Sequence, residues 1–140
     1  MDIFAAFATD ETREEEGATV FLTSGKDLAV DPWIKVARAN NLAYAKATAS
    51  GYEKLMADKK LLRLSEAEME IRAKNLMTDV IADTILKGFG NLEFQGAVLP
   101  PGRDSHLTFL RLKDFRELVM GHAMNVDLFR TEQNQADAGN

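Results

Sequence analysis

The segment Ser65-Glu66-Ala67-Glu68 opens a run in which Met69, Ala73, Leu76, Met77, Val80, Ile81, Thr84 and Ile85 return at three- and four-residue intervals. A serine three positions ahead of a glutamate can satisfy the free amides of a first helical turn, and the interval keeps the apolar residues on one face. The pattern predicts a helix from about 66 to 87, stopped by Gly88 and Gly90 as C-terminal glycines stop helices. A chain of 140 residues can bury one modest core, so the remaining elements must cover that stripe.

Asn40 and Asn41 are good N-cap residues ahead of a second helix, expected from about 42 to 60. Its residues Leu42, Ala45, Ala49, Tyr52, Leu55 and Met56 read as one apolar face, with Gly51 as a weak point inside it. Residues 88–103 read as a loop that lays Leu92, Phe94, Val98 and Leu99 over the core. Asp104 or Ser105 is expected to cap a short helix reaching Leu112, and Asp114 a last helix with the stripe Phe115, Leu118, Val119, His122, Val126 and Phe129. Upstream, Thr19–Thr23 and Trp33–Arg38 have strand composition, and Ser24-Gly25-Lys26-Asp27 is turn chemistry. The fold expected is therefore mainly α, a helical domain with one small N-terminal β-hairpin. Trp33 is either the anchor of that hairpin on the helices or an exposed binding residue.

Charge divides the ends from the middle. Residues 1–16 hold Asp2, Asp10, Glu11, Glu14, Glu15 and Glu16 against Arg13, which accounts for the whole net charge of -5. Residues 35–63 hold Lys35, Arg38, Lys46, Lys54, Lys59, Lys60 and Arg63 against Glu53 and Asp58. The two regions are either separately solvated faces or an acidic arm and a basic helix that attract each other, within or between subunits. Residues 1–17 are expected as a flexible acidic arm with an apolar tip at Ile3, Phe4 and Phe7. Residues 18–130 are expected as the single helical domain, and 131–140 as a polar tail. An acidic chain is poorly suited to neutralising phosphates, so no nucleic-acid partner is expected. The absence of cysteine removes disulfides and thiolate sites and fits a reducing cytoplasm. No leader pattern or long apolar run marks the chain for export or the membrane.

Chemistry is hard to find. The two histidines, His106 and His122, have no metal-ligand spacing, and no nucleophile elbow or phosphate loop occurs. The pairs Glu66/Glu70 and Asp79/Asp83 read as solvated helix faces among alternating bases. No catalytic residue, metal or cofactor is expected, and the chain reads as a protein that binds proteins.

Three stretches carry a resemblance. Phe4-Ala5-Ala6-Phe7-Ala8-Thr9-Asp10 leads into the acidic run and Gly17; Ile34-Lys35-Val36-Ala37-Arg38-Ala39-Asn40-Asn41 delivers a strand to a helix with Tyr44; and Asp114-Phe115-Arg116-Glu117 is followed by Leu128-Phe129-Arg130 and Asp137-Ala138-Gly139-Asn140. In this order the chain resembles the tail assembly chaperones of long-tailed bacteriophages, with Leu42 standing where that family often has a proline. The resemblance implies a protein that binds the tape-measure protein in the host cytoplasm and is not retained in the mature virion. It also implies a longer, frameshifted form that contacts the tail tube protein, and self-association into a homo-oligomer. Ile3, Phe4, Phe7, Trp33, Arg38, Asn40 and Asn41 are the candidate protein-binding residues. A head-tail connector or other structural adaptor is the alternative.

Overall fold

The computed structural model describes residues 1–131. In chain order the elements are α1 (Ile3–Phe7), α2 (Glu11–Glu16), β1 (Ala18–Phe21), β2 (Trp33–Val36), α3 (Leu42–Leu62) and α4 (Glu66–Thr84). They continue with β3 (Leu86–Gly90), β4 (Glu93–Phe94), β5 (Ala97–Val98), α5 (Arg103–Leu110), α6 (Lys113–Ala123) and a single 3-10 turn at Val126–Phe129. The polar tail beyond Thr131 lies outside the described residues.

The helical reading holds, and α4 begins as its capping box requires, with Ser65 accepting from the Glu68 amide at 3.2 Å. Its end differs from expectation. The helix stops at Thr84 and the chain runs almost directly into β3, which pairs antiparallel with β2 from Trp33 opposite Gly90 to Val36 opposite Leu86. Since β2 also pairs with β1, from Ala18 opposite Val36 to Phe21 opposite Trp33, the main sheet is β1-β2-β3 and not one hairpin. Gly88 and Gly90 are strand residues here. Gly90 has a steric reason: a Cβ there would run into the Trp33 indole, which lies across it from the neighbouring strand.

The alternation of β2 decides where the core is. Ile34 and Val36 are fully buried, and Trp33 and Lys35 point to the other face. Ile81, Ala82 and Ile85 at the end of α4 meet the buried face together with Leu86, Leu110, Val119, Ala123 and Phe129. A ring cluster closes one side, with Phe109 edge-on to Phe89 and Phe94 at centroid distances of 5.0 and 6.3 Å. His106 belongs to this cluster, edge-on to Phe89 at 5.6 Å, and burial lowers its pKa below 6.5 while a hydrogen bond to the Ala82 backbone acts in the opposite sense. Of the loop residues expected over the core, Leu92 packs on it and Phe94 joins the rings, whereas Val98 is exposed in the small β4–β5 hairpin.

Two expected caps are used otherwise. Helix α5 starts after Gly102 with no side-chain cap, because the Ser105 hydroxyl donates to the Pro100 carbonyl. Asp114 lies inside the first turn of α6, where its charge suits the positive end of the helix dipole.

Candidate protein-binding surface

Arg38, Asn40 and Asn41 are brought together in one corner that joins four elements. The Arg38 amide donates to the Glu14 carbonyl at 2.8 Å and its guanidinium to the Glu14 carboxylate at 2.7 Å, so this corner holds α2. The Ala39 amide donates to the Ala123 carbonyl at 2.8 Å, which ties in α6. Asn41 caps α3 by accepting from the Tyr44 amide at 2.9 Å, and its side-chain amide donates to the carbonyls of Arg38 and Thr84. Asn40 takes the other half of the turn: its φ is +65°, a left-handed conformation that asparagine tolerates better than most residues. Beside this corner an open cleft of about 500 Å³ is lined by Glu15, Glu16, Asn41, Leu42, Lys46 and Lys87. The acidic arm and the basic segment therefore meet within one chain.

The arm itself has more structure than its composition suggests. Asp2 and Asp10 cap the short helices α1 and α2, and the Asp10 amide donates to the Phe129 carbonyl at 2.8 Å. Residues 8 to 10 thus run beside the chain near Arg130. Helix α1 buries nothing: Ile3, Phe4 and Phe7 are 69%, 81% and 61% exposed. Trp33 stands apart from these groups, at the far end of β2 from Arg38. It lies on the sheet face opposite the core and its indole N–H donates to the Leu28 carbonyl at 3.2 Å, so it anchors the loop 22–32 to the sheet and not the sheet to the helices.

The surface that the sequence reading missed is the outer half of the α3–α4 hairpin. The two helices run antiparallel, with Gly51 against Leu76 and Arg72 paired to Asp58 at 3.6 Å. Between Leu55 and Thr78 no residue is buried, and Met56, Leu61, Leu62 and Ile71 are more than half exposed. The available signal was that α3 has more apolar positions than one buried face can use.

Arg103 meets the Asp79/Asp83 pair, at 2.6 Å from Asp83, and the hydrogen bond and charge of that partner raise the guanidinium pKa. Among the described residues no cluster of three metal-ligating side chains occurs, and no helix is long and apolar enough to cross a membrane. Compared with protein-family models, with curated proteins and with solved structures, the chain matches none.

Proposed function

We propose that this chain is a tail assembly chaperone of a long-tailed phage, which binds the tape-measure protein and keeps it soluble while the tail tube polymerises around it. The observation that supports the reading most is the amount of apolar side chain left uncovered on regular helices. Ile3, Phe4 and Phe7 on α1 and Tyr52, Met56, Leu61, Leu62 and Ile71 on the helical hairpin are all exposed. Scattered single residues of this kind are ordinary, but groups on helices without a covering element mark places where a partner docks. A long helical client with apolar stripes would aggregate alone, and a chain with its own uncovered helices can shield those stripes in exchange for its own. On this reading the protein acts in the host cytoplasm and leaves before the virion matures, and a frameshifted longer form carries the link to the tail tube protein.

Co-expression tests the reading. The tape-measure protein should remain soluble with this chain and precipitate without it, and a tag on either should retain both. A tape-measure protein that is equally soluble alone, or that is never retained, would remove the proposal. A mass-spectrometric inventory of purified particles should lack this chain; its presence at fixed copy number would make it a structural adaptor.

A further inference from the structure

Helix α3 carries two apolar faces where its packing uses one. The first is covered: Tyr44 packs against the core, Gly51 meets Leu76 of α4, and Leu55 is buried. The second consists of Leu42, Ala45, Ala49, Tyr52 and Met56, at intervals of three, four, three and four residues. That is the a/d repeat of a coiled-coil seam, and at 3.6 residues per turn it lies about a third of a turn around the helix from the first face. All five residues are exposed, Leu42 at 64%, Tyr52 at 43% and Met56 at 54%. The repeat continues into Lys59, with Lys60 beside it and Arg63 following as the left-handed C-cap, so the chain changes from apolar to cationic toward the tip of the hairpin. Lys46 and Lys60 flank it against the single acid Glu53, and none of Lys46, Lys59, Lys60 and Arg63 belongs to an ion pair among the described residues.

We propose that this seam receives an acidic amphipathic α-helix of the client, with apolar residues at heptad spacing against Leu42 to Met56 and carboxylates against Lys59, Lys60 and Arg63. The inference rests on the chaperone reading and specifies where the client sits and what chemistry it presents. Charge complementarity selects this occupant. A second α3 laid parallel would set cations against cations, and laid antiparallel would set Lys59 and Arg63 against Leu42 and Ala45; neither arrangement neutralises the tip. The chain's own apolar helix α1 has 5 residues, about 8 Å at 1.5 Å per residue, and cannot cover a seam of about 21 Å from Leu42 to Met56.

The probes are two synthetic peptides of about four heptads, both with leucine at a and d, one with glutamate and one with lysine at the flanking positions. The full chain should bind the acidic peptide and not the basic one, and should do so less tightly as salt is raised toward about 0.5 M. Tyr52→Glu and Met56→Glu should each weaken that binding roughly tenfold or more with an unchanged circular dichroism spectrum. The triple variant Lys59→Glu, Lys60→Glu, Arg63→Glu should exchange its preference and take the basic peptide, a gain that misfolding cannot mimic. Failure to bind the acidic peptide, equal binding of both peptides, or indifference to the seam substitutions would overturn the inference. So would sedimentation showing a wild-type dimer that Met56→Glu dissociates, since the occupant would then be a second copy. If the seam variants retain the tape-measure protein as wild type does, the seam is wrong and the chaperone reading stands; if wild type itself never retains it, the reading falls.

Discussion

Asn41 makes three hydrogen bonds with one side chain; those to Tyr44 and Arg38 are local and the third is not. The cap on Tyr44 is visible in the sequence because Asn-Leu-Ala-Tyr has the spacing of a capped first turn. The bond to the Thr84 carbonyl joins residues 43 positions apart and has no sequence signal. Asn41→Ala should therefore cost about 2 kcal/mol, the upper end of a lost cap, because the Thr84 carbonyl loses the Asn41 donor as well and the Arg38 carbonyl keeps only the backbone amide. Asn40→Gly should be nearly neutral and Asn40→Ala should cost about 1 kcal/mol, since only the left-handed φ matters there. Denaturant melts of the three variants check this; equal losses at both positions would contradict the division of roles. His106 shows the same limit of sequence reading: lacking ligand spacing, it becomes informative only once its buried place among the rings is known. Because its pKa is lowered in the folded state, the unfolded chain takes up the proton first. Stability is then full above pH 6.5, declines as pH falls between that value and the lower folded pKa, and levels off below it. Thermal melts from pH 7.5 down to about 5.5 should show this decline in wild type and not in His106→Gln.

At the level of elements, the helices were legible and the third strand was not. Helices α3 and α4 announce themselves through caps and periodicity, signals that depend only on near neighbours. Strand β3 contains two glycines directly behind a helix, and by composition that is a helix terminator; what makes it a strand is pairing with β2, fifty or more positions upstream. Gly90 carries the physical trace of that pairing. Gly90→Ala should destabilise the fold by about 1 to 3 kcal/mol by pressing a methyl group into the rigid Trp33 indole. In a Trp33→Ala background the same change should cost little, so the double-mutant cycle should give a coupling of at least about 1 kcal/mol. Additive losses would mean that the clash is not the cause. The uncovered seam of α3 was half legible: its residues were recognisable as apolar, but six positions were merged into one face although Leu55 alone among them is buried.

On the scale of the whole molecule, the arm and the domain cannot be separated at residue 17. Removing residues 1–7 deletes α1, which buries nothing, and should leave the melting temperature unchanged while weakening capture of the tape-measure protein. Removing residues 1–16 also deletes Glu14 and Asp10, which bond to Arg38 and to the Phe129 carbonyl, and should lower the melting temperature measurably. If both deletions melt alike, the contacts of α2 contribute nothing to the fold. The hairpin has a different relation to the sheet. Both of its helices leave from and return to the same place, the Asn41–Thr84 junction, and its outer half contains no buried residue. Doubling the length of a flexible connection costs only about 0.6 kcal/mol in closure entropy, and added helical turns would supply their own hydrogen bonds. The turn at Arg63–Ser65 is accordingly a graft point. Descendants of this chain could lengthen or shorten the hairpin by whole heptads to follow a client of different size, leaving the β1-β2-β3 sheet unaware of the change.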